Sequence, residues 1–184
     1  TIYKDQLDER GVDYIKRMTT AAFRMSTLIN DLLEFSRITT RGKEFVEVEL
    51  NSVLDEVLGD LDIAIAETGA QIEIAPLPKF CADPSQMYQL FLNVLSNGLK
   101  FHKVDVAPVI SVSVEQKELR DELQHVDVPS CIVTIKDNGI GFEQTYADKI
   151  FSPFQRLHGR TAYKGTGIGL AVCRRIVERH GGTI

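Results

Sequence analysis

A long amphipathic helix is predicted for the N-terminal part of the sequence. Between Asp8 and Arg37 the chain contains no proline and a single glycine, Gly11. Apolar residues recur there at alternating steps of three and four, which aligns them along one side of a helix. The stripe consists of Ile15, Met18, Ala22, Met25, Ile29 and Leu32, with Leu28, Leu33 and Phe35 beside it. One helix cannot bury this stripe alone, so we expect a helical bundle completed by a second chain or by further sequence. Packing of the helix on its own domain is the alternative.

The rest of the sequence predicts alternating strands and helices. The segment 39–42 (Thr-Thr-Arg-Gly) is expected to end the long helix and to act as a hinge. Strands are predicted near 45–50, 71–75, 109–114 and 131–136, with a charged, partly helix-prone connection over 115–129. Helices are predicted over 51–69, 84–101, 146–150 and 167–180, and Thr183 is expected to start another strand. Asn51 is a candidate N-cap, and Asp83 followed by Pro84 is a strong helix start.

Composition narrows the class of protein. With 43% hydrophobic residues, the chain can build a core. The 21 basic and 26 acidic residues give a net charge of −5, which disfavours nucleic-acid binding. No stretch approaches the roughly 20 apolar residues of a membrane span. Cys81, Cys131 and Cys173 are far apart and form no CxxC pair, so we expect buried thiols in a reducing compartment.

One candidate site lies on the predicted helix that follows Asp83. Asn93 and Asn97 are four residues apart and Lys100 is three further on, so the three side chains share one face. Amide oxygens are suitable ligands for a Mg²⁺ ion that phosphates already hold, and a lysine can contact phosphate. A solvated helix surface is the structural alternative for this segment taken alone.

Two glycine-rich segments add to this site. Asp137-Asn138-Gly139-Ile140-Gly141-Phe142 follows a predicted strand, where a carboxylate could face a cleft, although a simple polar turn would also explain it. The segment 164–170 (Lys-Gly-Thr-Gly-Ile-Gly-Leu) precedes a helix, whose N-terminal N–H groups favour phosphate. It is not a dinucleotide fingerprint, because no strand directly precedes it, and the sequence contains no GxxxxGK[ST] motif.

The order and spacing of these motifs resemble the catalytic ATP-binding domain of sensor histidine kinases, within the GHKL ATPase superfamily. Residues 93–101 resemble the N box, 137–142 the G1 box, 150–157 the F box and 165–170 the G2 box. The segment 28–37 resembles the second helix of a dimerisation and phosphotransfer domain, and 100–102, 154–160 and 177–182 resemble the phytochrome-related branch. The resemblance implies an α+β fold, a Bergerat-type α/β sandwich with helices on one face of a mixed sheet. It also implies a truncated dimerisation domain at 1–41 and an ATP-binding domain at 42–184 whose last strands are missing.

The resemblance also assigns roles to individual residues. Asn97 would coordinate Mg²⁺ with Asn93 beside it, Lys100 would contact phosphate, and Asp137 would accept a hydrogen bond from the adenine amine. Gly139 and Gly141 would allow close approach, and residues 142–166 would form an ATP lid anchored by Phe151 and Phe154. The phosphate-facing positions are Arg156, His158, Arg160, Lys164, Gly165, Thr166, Gly167, Gly169 and Leu170.

Two departures from the family pattern accompany these assignments. Gly98 occupies a position where the N box usually has alanine, which costs up to about 1 kcal/mol of helix propensity. The phosphoacceptor motif, a histidine followed by an acidic residue and then Pro-Leu, does not occur around His102, His125, His158 or His180. The resemblance would place the acceptor upstream of Thr1, so no catalytic residue is expected in this chain.

The resemblance implies a cytoplasmic histidine kinase that uses ATP and Mg²⁺. It also implies a homodimer through the N-terminal helix, a PAS- or GAF-like upstream module and a response-regulator receiver domain as partner. The alternative is a regulatory ATP-binding pseudokinase that signals without phosphotransfer. Two further alternatives are less well supported. An ATPase of the same superfamily would need an acidic general base at the position of Asn93, and a purely structural coiled coil would leave the glycine boxes unexplained.

Overall fold

The computed structural model describes residues 8–40, 42–121, 126–157 and 165–184, and within them the chain forms five α-helices and five strands. Their order is α1 (Glu9–Thr40), β1 (Val46–Glu49), α2 (Leu50–Asp60), α3 (Asp62–Thr68), β2 (Gln71–Ile74), β3 (Lys79–Ala82), α4 (Pro84–Lys100), β4 (Val109–Asp121), β5 (Val126–Asp137) and α5 (Gly169–Arg179). Two short 3₁₀ turns, Gln144–Tyr146 and Lys149–Phe151, replace the predicted helix over 146–150.

Helix α1 confirms the predicted long helix and continues to Thr40. The predicted apolar stripe stays exposed: Met18 is 71% and Ile29 58% accessible. A second stripe at the C-terminal end, formed by Leu28, Phe35 and Ile38, packs instead against the domain that follows. Packing on the domain, the alternative expectation, is therefore confirmed for this second face, and burial of the exposed stripe in a bundle stays a prediction. Among the described residues, no helix has both the length and the apolar character needed to cross a bilayer.

The sheet has the mixed topology that the family resemblance implies. Strand β4 lies between β2, with which it runs parallel, and β5, with which it runs antiparallel. Strands β1 and β3 form a separate antiparallel pair. Ile110 and Val112 of β4 are buried and alternate with Ser111 and Ser113, so one face of the sheet is available to the helices.

The core lies between this face and three helices. Each helix contributes apolar residues at steps of three or four, so each buries one side. The largest members are Leu50, Leu54 and Val57 of α2, Phe91 and Leu95 of α4, Ile110 of β4, Ile168 just before α5, and Ile176 of α5. Helices α4 and α5 are therefore fixed against the same sheet, and they also contact each other.

The structure corrects several local predictions. The predicted helix 51–69 is broken at Leu61, and Asn51 lies inside α2, where its Oδ1 accepts a hydrogen bond from Leu77 N at 2.8 Å. Much of the segment 115–129 belongs to the β4–β5 hairpin. Residues 115–118 of this segment are exposed, so they do not show the alternation of apolar and polar residues from which a strand is predicted. Strand β3 was not predicted, and residues 183–184 form no strand.

The cysteines are also only partly as predicted. Cys173 is buried, and burial raises the pKa of its thiol to about 12. Cys81 and Cys131 are exposed, so the expectation of buried thiols is wrong for them. Both lie on strands, where alternate side chains point away from the core.

A buried ion pair fixes the connection between α1 and β1. Asp83 is 1% exposed and caps α4 by accepting from Ser85 N at 3.0 Å and Gln86 N at 3.3 Å. The same carboxylate accepts from Lys43 N at 2.6 Å and from Arg179 Nη1 at 3.1 Å. Arg179 therefore neutralises a carboxylate that already holds both a helix and a linker.

Further hydrogen bonds extend this cluster to the end of α1. Arg179 donates to Lys43 O at 2.7 Å and to Gln86 Oε1 at 2.8 Å, and Gln86 Nε2 donates to Ile38 O at 3.0 Å. A Cβ at Gly42 would lie 2.1 Å from Arg179 Cζ, so glycine leaves room for the guanidinium. The residues that flank the predicted hinge at 39–42, Ile38 and Lys43, are thus both hydrogen-bonded to the domain.

Candidate active site

A cavity of about 550 Å³ opens between α4, the end of β5 and the start of α5. It is lined by twelve of the predicted site residues: Asn93, Asn97, Lys100, Asp137, Gly141, Phe151, Arg156, Gly165, Thr166, Gly167, Gly169 and Leu170. Gly139 and Phe154 lie outside the lining, and Lys164, together with His158 and Arg160, falls outside the described residues. Segments far apart in the sequence therefore meet at one cleft of a size suited to a small ligand.

One wall of the cavity is the polar face of α4. Asn93, Asn97 and Lys100 all line it, as their spacing predicts. Within the described part of the chain, the buried amide nitrogen Asn93 Nδ2 has no hydrogen-bond partner. A buried donor without a partner is unfavourable unless a ligand accepts from it, and a phosphate oxygen would do so.

One end of the cavity carries two cations. Arg156 Nη1 donates to Gly165 O at 2.6 Å, and Lys100 Nζ lies 4.4 Å from the centre of the Phe101 ring. Burial, and secondarily the nearby Arg156 charge, lowers the pKa of Lys100. A bound anion would relieve the repulsion between the two cations, so this end favours phosphate.

The glycine segment before α5 completes this end. Gly165 and Gly167 have φ of 144° and 81°, and a Cβ on Gly167 would lie 2.8 Å from Gln155 O. Helix α5 starts at Gly169 without a side-chain cap from Ile168, and the first two residues of the helix, Gly169 and Leu170, line the cavity. Uncapped N–H groups and the positive end of the helix dipole favour a phosphate here.

Asp137, the last residue of β5, also lines the cavity. Its Oδ1 accepts from Gly139 N at 2.8 Å, which leaves the second oxygen for a ligand. The close approach at Gly139 is to the protein itself: a Cβ would lie 2.5 Å from Phe101 O, which accepts from Ile140 N at 2.9 Å. Gly139 therefore joins the Asp137 turn to the end of α4.

The described part of the predicted lid packs against α5. Phe151 lines the cavity, and Arg174 Cζ lies 4.7 Å from its ring centre. Phe154, the second predicted anchor, is 55% exposed and does not line the cavity.

Sequence reasoning missed several lining residues. Gln89 precedes Asn93 by one helical turn, so the α4 periodicity could have identified it. The apolar wall, which suits a planar base, includes Val94, Ile135, Ile140, Ile150 and Leu157. Asp31 of α1 also lines the cavity, and no local signal in the sequence connects it with this site.

The site contains no ready-made metal cage. No group of three or more His, Cys, Asp or Glu side chains that could hold a metal ion occurs in residues 8–40, 42–121, 126–157 and 165–184. A cation at this site would depend on amide oxygens together with ligand phosphates, which is a ligand set that Mg²⁺ accepts.

Comparison with known proteins agrees with the resemblance. Residues 82–184 match the family described as "Histidine kinase-, DNA gyrase B-, and HSP90-like ATPase". Cyanobacterial phytochrome A of Nostoc sp. (strain PCC 7120) is 41% identical over 182 residues, which cover 99% of this chain and 22% of that protein. The chain thus spans about a fifth of the length of this curated relative.

Solved structures share the fold. The crystal structure of full-length ShkA in complex with AMPPNP has a TM-score of 0.64 and 22% identity, and the match covers 95% of this chain and 35% of ShkA. Histidine kinase ThkA in complex with response regulator protein TrrA has a TM-score of 0.61 and 21% identity, covering 97% of this chain and 48% of ThkA. With the family match over more than half of its length, this chain belongs to the histidine kinase-, DNA gyrase B- and HSP90-like ATPase family and contains a catalytic domain of the sensor histidine kinase type.

Proposed function

We propose that this chain binds Mg-ATP in the cavity and, in the protein to which it belongs, transfers the γ-phosphoryl group to a histidine. The phosphoryl group then passes to an aspartate of a response regulator. The observation that carries the proposal is the meeting of the α4 amides, two cations, an uncapped helix start and Asp137 at one cavity. The relatives named above support it, since ShkA was solved with AMPPNP and ThkA with a response regulator.

The charge distribution assigns the two ends of the ligand. The phosphates belong beside Lys100, Arg156 and the start of α5, where donors and cations converge. The adenine belongs against the apolar wall, with its exocyclic amine toward Asp137. Phosphoryl transfer depends mainly on positioning and charge neutralisation, and these residues provide both.

Mg²⁺ would neutralise phosphate charge when bound beside Asn97. The amide oxygen of Asn97 can serve as its protein ligand, and Asn93 lies one turn away on the same wall. Among the described residues, the buried amide nitrogen of Asn93 lacks a hydrogen-bond partner, which supports a donor role toward a phosphate oxygen beside the metal role of its amide oxygen. Lys164, which the family pattern also places at the phosphates, stays part of this proposal.

Nucleotide selectivity tests the proposal directly. Calorimetry with ATP and with GTP in the presence of Mg²⁺ should show clear preference for ATP, because guanine presents a carbonyl where adenine presents the amine. Equal affinity for the two nucleotides would contradict the role of Asp137 in recognising adenine.

Phosphotransfer is tested by incubating the full-length protein with γ-labelled ATP, where acid-labile and alkali-stable label is expected. ATP binding without such label would instead indicate the pseudokinase.

Replacing Asn97 with alanine should weaken ATP binding in Mg²⁺ by roughly tenfold or more, on the scale of a lost interaction with a charged group. The loss in EDTA should be much smaller, because the lost ligand acts through the metal. Calorimetry in both buffers measures the difference. Lys100→Met is the matched comparison, since a lost phosphate contact should weaken binding in both. If Asn97→Ala lowers ATP affinity equally in Mg²⁺ and in EDTA, Asn97 is not a metal ligand and belongs to the ordinary polar surface of the helix.

We also propose that residues 1–41 belong to a dimerisation domain and 42–184 to the ATP-binding domain, with α1 forming a homodimer. The exposed stripe around Met18 and Ile29 supports this, because so large an apolar face normally packs in a bundle. Replacing Met25 and Ile29 with aspartate should convert the full-length protein from dimer to monomer in light scattering. Thr20→Asp on the opposite side of α1 should leave the dimer intact, and a monomeric unmodified protein would contradict the proposal.

The upstream module, the downstream partner and the location are proposed only from the similarity to known histidine kinases and phytochromes. A PAS- or GAF-like sensory module upstream agrees with the phytochrome relative, and the response regulator acts as the downstream partner. The expected location is the cytoplasm.

A further inference from the structure

Helix α1 contributes a charged side chain to the nucleotide cavity. On the face of α1 that contacts the domain, Leu28, Phe35 and Ile38 pack against its core, and Asp31 lies between them at the same helical spacing. The Asp31 carboxylate accepts a hydrogen bond from the hydroxyl of Thr166. This polar contact joins α1 to the glycine segment before α5.

The charge of Asp31 is opposite to that of its surroundings. The phosphate end of the cavity contains the cations Lys100 and Arg156, and Arg156 donates to Gly165, the residue next to Thr166. Asp31 lines the same cavity and is partly buried, so water screens its charge less than at an open surface. A bound triphosphate would bring further negative charge to the wall that Asp31 occupies.

We propose that docking of α1 through Asp31 and binding of the nucleotide phosphates are mutually antagonistic. This inference rests on the proposed ATP-binding function and goes beyond it, because it gives α1 a direct influence on nucleotide affinity. Repulsion between the carboxylate and the phosphates weakens ATP binding while α1 is docked. By linkage, bound ATP weakens docking to the same extent.

The other contacts of α1 with the domain allow α1 to loosen near Asp31 while its C-terminal end stays in place. Near the other end of the contact, Ile38 O accepts from Gln86 Nε2 at 3.0 Å, and the Asp83–Arg179 pair holds the linker that follows. Arg175 Cζ lies 5.7 Å from the ring centre of Phe35 between these two ends. Loss of the Asp31 contact would therefore loosen α1 near Thr166, where the apolar contacts of Leu28 and Phe35 still hold it, while the linker at Lys43 stays anchored.

The affinity test isolates the charge of Asp31. Asp31→Asn keeps an acceptor for Thr166 but removes the negative charge, so ATP should bind about fivefold tighter or more, the lower end of typical coupling between sites. Asp13→Asn makes the same charge change on an exposed part of α1 and should leave affinity unchanged. If Asp31→Asn binds ATP with unchanged or weaker affinity, the antagonism is overturned while the proposed ATP-binding function stands. Failure of the unmodified protein to bind ATP overturns the proposed function, and the inference with it.

A distance measurement tests the reciprocal effect. Spin labels on Cys81 and on a cysteine introduced at Thr20, with Cys131→Ser, would report the position of α1 relative to the domain. Labelled full-length chains are diluted into unlabelled ones so that only distances within one chain contribute. Saturating ATP should shift or broaden the distribution in this labelled protein and change it much less when Asp31→Asn is added. A distribution that ATP leaves unchanged in the protein with Asp31 would overturn the antagonism.

Discussion

Replacing Asp83 with alanine is expected to lower the free energy of unfolding by about 3–5 kcal/mol, the usual effect of breaking a buried ion pair. The carboxylate accepts three backbone N–H groups, from Lys43, Ser85 and Gln86, in addition to the Arg179 pair. Its removal leaves these donors and a largely buried guanidinium without their acceptor. Urea unfolding followed by circular dichroism measures the change as a lower midpoint at unchanged slope.

Two further variants show whether the burial of the Asp83–Arg179 pair causes the loss of stability. Arg179→Met should cost less than Asp83→Ala, because the backbone N–H groups still satisfy the carboxylate. Glu178→Ala removes an exposed pair with Arg175 on the same helix and should cost no more than about 1 kcal/mol. A loss below about 1 kcal/mol for Asp83→Ala, as for an exposed pair, would mean that the cluster does not stabilise the fold.

Asp137→Asn is expected to weaken ATP binding by about 10–150-fold, the range for losing a hydrogen bond to a charged group. Asparagine preserves the shape of the side chain, and its oxygen can still accept from Gly139 N, so the turn is retained. Its amide nitrogen, however, would meet the adenine amine as a second donor. Competition between ATP and GTP should show lower selectivity as well as lower affinity.

The matched control for this change is Asp55→Asn on the exposed side of α2, which should leave nucleotide binding unchanged. Thermal unfolding of both variants should be close to that of the unmodified protein, which separates a binding defect from a folding defect. If Asp137→Asn binds ATP with unchanged affinity and selectivity, another group reads the base.

Local patterns in the sequence account for the elements that carry the site. Asp83 and Pro84 define the start of α4, and helical periodicity then places Asn93, Asn97 and Lys100 on one wall of the cavity. The family motifs likewise indicated the fold class, because their residue types and spacing are more specific than propensity. Where the chain is exposed on both faces, as over residues 115–118, periodicity gave no signal and the hairpin was missed.

What the sequence by itself determined is therefore the long helix α1, the helices α4 and α5 with one buried face, the strand that ends at Asp137 and the residue types of the candidate phosphate site. Tertiary structure alone decided that Asp83 pairs with Arg179, that Gly139 packs on Phe101 O, and that Asp31 reaches Thr166. Asp31 and Thr166 are separated by 135 positions. Contacts over such separations depend on how helices and sheet pack together, and no local spacing encodes which partner a polar side chain will meet.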